Sequence, residues 1–164
     1  MQRLLLAAAC LFLLFSCKKE KKRTALEDNS SFEIATDGWP QKIPLNDKSQ
    51  TFVNEWQEFR DMDTSFDALY TVDNREDLTL VIEDMIEKQK VLAESIYPGV
   101  FDRAQIKGRQ KVFKTFVLKV KGDLIYRLDP QASVLELIKA YNDLRNQFNI
   151  MTGITLDTNL ILNE

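Results

Sequence analysis

The sequence predicts an all-α protein: an up-down-up-down four-helix bundle with an irregular N-terminal arm and an extended C-terminal tail. Three observations carry that prediction. Apolar residues recur at helical spacing in four stretches, capping signals stand at the head of each, and proline or glycine punctuates the joints between them. Strand-like alternation is scarce.

The first 23 residues read as an address. Met1-Gln2-Arg3 gives a basic start, residues 4–15 are apolar throughout, and Ser16-Cys17 leads into Lys18-Lys19-Glu20-Lys21-Lys22-Arg23. As a helix the apolar run spans only about 18 Å, short of the roughly 30 Å hydrocarbon core, so it predicts a cleaved secretory signal over residues 1–16 and not a membrane span. Its end, Leu14-Phe15-Ser16-Cys17, resembles the lipobox of bacterial lipoproteins cut by signal peptidase II. That resemblance implies that Cys17 becomes the first mature residue and carries acyl chains such as palmitate. Two or more chains anchor a protein stably where one does not, so the membrane would be a partner through Cys17 alone.

Residues 17–30 then form the lipidated cysteine and a flexible tether. The five cations between Lys18 and Arg23 would add attraction of about 1 kcal/mol each near an anionic lipid surface. Leaders of this length resemble those of Bacteroidota lipoproteins, in which acidic leaders go with export to the cell surface. The leader here is basic, which points to the cell envelope with the protein on the periplasmic face of the outer membrane, the cell surface being the alternative.

Residues 24–164 suffice for one domain with a real core, and the helical body is expected over 31–164. With Arg3 and residues 18–23 set aside, the body holds 16 basic and 24 acidic residues, a net charge of −8. An acidic body excludes nucleic acid as a partner. The two cysteines are Cys10, inside the signal, and Cys17, and the chain has no histidine. Serine and cysteine nucleophile systems that need histidine, imidazole and thiolate zinc sites, and histidine-held haem all go with them, and no cofactor is expected.

The arm runs over 30–46, where Asp37-Gly38-Trp39-Pro40 signals a turn and Pro44 forbids a regular helix. Phe32, Ile34, Trp39 and Ile43 would sit poorly in water, so the arm is expected to lie against the bundle, a partner surface being the alternative. The first helical segment begins near Ser49 behind an Asp47/Gln50 capping box, and Phe52, Trp56, Phe59, Phe66 and Tyr70 form its aromatic seam towards Val72, the alternative being a break at Asp63-Thr64-Ser65 with Thr64 or Ser65 capping a second short helix. Asp73 and Glu76 cap the second, whose seam is Leu78, Ile82, Met85, Leu92 and Ile96 up to Pro98-Gly99. Asp102 and Gln105 open the third, with Ile106, Phe113, Val117, Val120 and Leu124. Asp129-Pro130 opens the fourth, with Val134, Ile138, Tyr141, Leu144, Phe148 and Met151, and Gly153 is its stop. The tail after Gly153 is rich in aliphatic and β-branched residues and is expected to pack in extended form.

The third segment holds the most unusual chemistry. Arg103, Lys107, Arg109, Lys111, Lys114, Lys119, Lys121 and Arg127 meet only Asp123 as a counter-charge, and Arg103, Lys107, Lys111, Lys114 and Lys121 share one stripe beside the seam. The plainer reading is an exposed helix edge paired with the acids of the second segment; the functional one is a site for an anionic ligand, a lipid headgroup or an acidic partner. Arg109 and Gln110 interrupt the third seam and Gln89 the second, and with Asn142 and Arg145 near the fourth they suggest a polar layer in the bundle. Such layers fix helix register or form a pocket. No metal site is expected, because Asp61-Met62-Asp63 lacks the rest of a calcium-binding loop and carboxylate-bridged centres of bundles need histidine.

Residues 106–119 and 140–149 are similar to small helical lipoproteins of Bacteroidota without an assigned role, a resemblance that lends no functional residues. The expectation from the whole sequence is a non-catalytic envelope lipoprotein that binds another protein. The alternative is a module for a small anionic ligand or headgroup, and Lys107, Arg109, Gln110, Lys111, Lys114, Gln89 and Arg145 are the candidate contacts for ligand or partner. An enzyme working through carboxylates or lysine is the third possibility.

Overall fold

The structure is a computed structural model that describes residues 34–153, all within one compact unit. The signal, Cys17, the tether, Phe32 and the tail beyond Gly153 lie outside the described residues. The elements are α1 (Asp47–Asn54), α2 (Gln57–Asp67), a 3₁₀ turn (Ala68–Thr71), α3 (Arg75–Glu94), α4 (Ala104–Ile125) and α5 (Gln131–Gly153). The protein is all-α, with five helices among the described residues because the first predicted segment is broken.

The break falls at Glu55 and Trp56, not at 63–65. Trp56 leaves the helical region (φ −107°, ψ 88°). Its ring is buried against Phe59, and its Nε1–H donates to Ser95 Oγ at 2.9 Å. Arg60 on α2 reaches back to the Asn54 carbonyl, an acceptor that the end of α1 leaves open. The offset turns Ser49 and Val53 inward and leaves Phe52, expected in the seam, 38% exposed. Residues 63–65 stay helical, with Ser65 and Phe66 buried.

Two caps sit one residue earlier or later than the sequence suggests. Asn46 Oδ1 accepts the Ser49 N–H (2.8 Å) and Asn74 Oδ1 the Asp77 N–H (2.9 Å). Asp47, Glu76 and Asp77 thereby occupy first turns, where negative charge meets the positive helix end. Asp102 is not a cap: Arg103 stands at the N-cap of α4 without a side-chain bond, and Asp102 holds Lys107 instead. At α5 the Pro130 carbonyl accepts the Val134 N–H (2.9 Å), so Pro130 stands at the N-cap and not at the first helical position that the Asp-Pro pair suggests, while Asp129 Oδ1 accepts the Gln131 N–H (3.0 Å) from one residue further out.

α3 and α4, α4 and α5, and α2 and α5 pair antiparallel. Arg75, at the start of α3, meets the end of α4, while Gln89 further on meets Gln110 near its beginning. Arg109 and Phe113 of α4 meet Asp143 and Tyr141 of α5. Phe66 and Phe59 of α2 reach Tyr141 and Phe148, with ring centroids 3.9 and 5.0 Å apart. The buried side chains Phe59, Phe66, Phe101, Phe113, Tyr141 and Phe148 form one aromatic core; such pairs contribute about 0.5–1.5 kcal/mol each beyond their burial. The expected seams of α3, α4 and α5 are buried except at their ends. Ile96 is 93% exposed, because α3 stops at Glu94 and Ser95 turns extended (φ −73°, ψ 166°), which takes the chain off the helical register.

α4 ends in a Schellman arrangement, with Leu128 N–H on the Asp123 carbonyl (2.8 Å) and Arg127 N–H on that of Leu124 (3.2 Å). Arg127 takes the left-handed position (φ 54°) that usually falls to glycine. Arg75 Nη2 donates to the carbonyls of Asp123, Leu124 and Leu128 at 3.0–3.2 Å, so a cation from α3 closes the negative end of α4.

The arm lies against the fold, as expected, and the way it is held corrects the polar-layer expectation. An extended segment buries backbone groups that no helix or sheet satisfies, so side chains must do it. On α5, Asn142, Arg145, Asn149 and Thr152 are spaced to fall on one stripe. Asn142 Oδ1 accepts the Ile43 N–H (2.8 Å) and its Nδ2 donates to the Gln41 carbonyl (3.0 Å). Arg145 Nε donates to the Ile43 carbonyl (2.6 Å), and Asn149 Nδ2 to that of Pro44 (3.0 Å). Ser49 Oγ and Thr152 Oγ1 close the row at 2.9 Å. From the arm, Lys42 reaches Asp63 (3.0 Å) and Asp67 (2.5 Å). Trp39 is buried edge-on to Tyr70, while Ile43 is 37% exposed.

Asp63 is the hub beneath the arm. Its Oδ1 accepts Tyr141 Oη–H and Arg145 Nη1–H, each at 2.6 Å. Burial, reinforced by the neighbouring Asp63 charge, holds the Tyr141 hydroxyl well above the ordinary tyrosine range.

Candidate functional site

A cavity of about 440 Å³ opens where the end of α3, the 95–103 connection and the start of α4 meet. Gln89 and Ala93 come from α3, Ser95, Ile96, Tyr97 and Asp102 from the connection, and Lys107, Gln110, Lys111 and Lys114 from α4. Its volume lies in the usual range of small-molecule sites. Helical periodicity explains the α4 contribution: 107, 111 and 114 follow one another at four and three residues and share a face, with Gln110 between them on the core side.

The structure therefore brings together five of the residues singled out in the sequence and separates two. Gln89, Lys107, Gln110, Lys111 and Lys114 line the cavity. Arg109 points elsewhere, about half exposed and paired with Asp143 at 3.6 Å. Arg145, on α5, holds the arm instead, with its side chain only 6% exposed. Asn142, grouped with it in the polar-layer expectation, also serves the arm.

The floor is polar and buried. Gln89 and Gln110 are 2% and 4% exposed as whole residues, so their amides need partners or the cavity's solvent. Tyr97 Oη–H donates to Gln110 Oε1, and Gln110 Nε2 faces Gln89 Oε1 at 3.5 Å, the outer limit of a hydrogen bond. The Gln89 amide nitrogen, with two N–H donors, has no partner among the described residues. Desolvation raises the Tyr97 hydroxyl above its ordinary value, opposed by the Gln110 bond and the Lys107 charge, so at neutral pH it is a donor.

The wall is cationic. Lys107 is held by Asp102 at 2.5 Å and lies 5.2 Å from the centre of the Tyr97 ring; the Asp102 bond raises its pKa, which keeps it charged. Lys111 and Lys114 have no ion pair among the described residues. The plainer sequence reading, a basic edge neutralised by the acids of α3, holds for Lys121, which meets Glu83 at 3.7 Å, and not for these two lysines. Three lysines against one aspartate leave the cavity locally positive on an acidic protein. An anionic group here would meet ammonium groups on one side and amide and phenol donors on the other.

Sequence reasoning missed Tyr97, Ser95 and Asp102, which lie in a connection where no periodicity points to them. It also missed Asn149 and Thr152, whose spacing from Asn142 and Arg145 was the available signal. Among the described residues no cluster of three or more potential metal ligands occurs, and no helix is long and apolar enough to cross a membrane. The chain matches no known protein family, and neither a curated protein nor a solved structure matches it.

Proposed function

We propose that this chain is an envelope lipoprotein, anchored by acyl chains on Cys17, whose helical body is a non-catalytic module that binds an anionic group between α3 and α4. The observation that carries the binding reading is the convergence on one cavity of Lys111 and Lys114, which lack counter-charges, with the Gln89 amide nitrogen, whose N–H groups have no protein acceptor among the described residues. An anion supplies both. The lipid anchor rests on the Leu14-Phe15-Ser16-Cys17 sequence and the signal before it.

Thermal-shift measurements on the full chain in detergent, with succinate and inorganic phosphate as probes, test the cavity. A ligand at 100 times its dissociation constant stabilises the folded state by about 2.7 kcal/mol. The shift should appear with the wild type and vanish in the Lys111→Ala/Lys114→Ala variant; an equal shift in both would remove the cavity from the reading. For the anchor, cells fed a palmitate analogue should label the wild type and not Cys17→Ala, and only the variant should leave the membrane fraction. An unlabelled wild type would end the lipoprotein reading.

A further inference from the structure

Behind the connection that walls the lysine cavity lies a second depression of about 340 Å³. Ile96 and Tyr97 line both, so the two share a wall. The second is bounded by Phe52 and Trp56, with Glu55 and Glu58 on its rim. Neither glutamate has an ion pair among the described residues. The two hollows are thus opposite in sign: unpaired lysines on one side of Ile96, unpaired carboxylates on the other.

Ile96 stands between them at 93% exposure, the most exposed of the large apolar side chains described. Phe52, half out of the core, flanks it. A uniformly anionic ligand would be drawn to the lysines and repelled beyond the ridge, and a small anion would leave the ridge bare. A chain with acidic groups at one end, an apolar residue in the middle and basic groups at the other satisfies all three features. We infer that the cavity and the depression are two halves of one track for an extended, bipolar peptide segment of a partner protein, acidic over Lys111 and Lys114, apolar over Ile96, basic over Glu55 and Glu58. Polypeptide suits the spacing, since an extended chain advances about 3.3 Å per residue and spans such neighbouring hollows with few residues. The Gln89 amide would then donate to a carboxylate or carbonyl of that segment.

This inference rests on the anion reading of the cavity, and its test separates the two. Fluorescence anisotropy would follow three labelled peptides of equal length on the full chain in detergent. The first carries two aspartates, a central leucine and two lysines in that order; the second has the lysines changed to aspartates; the third has the leucine changed to serine. The first should bind, and the other two about tenfold more weakly. Ile96→Asp should weaken the first by a similar factor, and Glu55→Lys/Glu58→Gln should reverse the preference between the first and second peptides. Circular dichroism checks that the variants fold, which the exposure of Ile96 and Glu55 favours. If the all-acidic peptide binds as well as the bipolar one, or Ile96→Asp changes nothing, the track is overturned; dependence on Lys111 and Lys114 would then leave the anion cavity standing. Binding indifferent to Lys111→Glu/Lys114→Glu would overturn both, and no binding by any peptide would overturn the track alone, the response to succinate and phosphate deciding the cavity.

Discussion

Along the arm, Asn142, Arg145, Asn149 and Thr152 each end on a protein partner; in the cavity between α3 and α4, Lys111, Lys114 and the Gln89 amide nitrogen do not among the described residues. Both places set polar groups on a helix beside an apolar seam. What separates them is closure. On α5 the polar stripe is matched by the backbone of residues 41–46 at Asn142, Arg145 and Asn149, by Asp63 at the Arg145 guanidinium and by Ser49 at Thr152, so its hydrogen-bonding capacity is spent inside the molecule. On α4 the acids of α3 reach only Lys121, so the remaining capacity faces a hollow. The contrast identifies which stripe is answered by the protein itself.

The contrast breaks most sharply at Asp63. Asp63→Ala would leave the Arg145 guanidinium buried without its carboxylate and strip Lys42 and Tyr141 of a partner, a loss of about 3 kcal/mol or more in chemical denaturation. The same region fails at high pH. The Tyr141 hydroxyl is raised in the folded state, so its contribution is complete below the tyrosine value of the unfolded chain, near 10, and declines as pH rises from there. Stability followed through that range should fall more steeply in the wild type than in Tyr141→Phe.

Arg75 offers an intermediate case, a cation whose acceptors are all backbone. Arg75→Ala removes the bonds to three carbonyls at the end of α4 and should cost about 1–3 kcal/mol by urea denaturation. At the other extreme, Lys111→Ala/Lys114→Ala should change stability by no more than about 0.5 kcal/mol, because exposed unpaired side chains contribute little. A large loss there would mean that these lysines serve the fold, and the distinction between the two stripes would disappear.

Much of this was legible in the sequence. Helix existence followed from apolar spacing, and Gln89, Lys107, Gln110, Lys111 and Lys114 could be named because each departs from a periodic pattern or exceeds its counter-charges. The break at Trp56 was not legible: Phe52, Trp56 and Phe59 fit one helical seam, and only the competition for core volume, with the Ser95 hydroxyl as partner for the indole, decides against it. Asn142 and Arg145 were found but misassigned, since the sequence shows that a polar residue borders a seam and not which segment will lie over it. Tyr97 and Asp102 joined the cavity through the path of a connection, which no local rule fixes.

The fastening of the arm also bears on when the fold is completed. The bonds from residues 41–46 to α5 join positions 99–105 apart in the chain, so they close only after the last helix is in place. Contacts of such separation carry the largest loop-closure cost and form late, whereas the helical hairpins form from nearer neighbours. The arm is therefore a clasp shut at the end of folding, and weakening it at Asn142 or Asn149 should hasten unfolding while leaving the folding rate nearly unchanged.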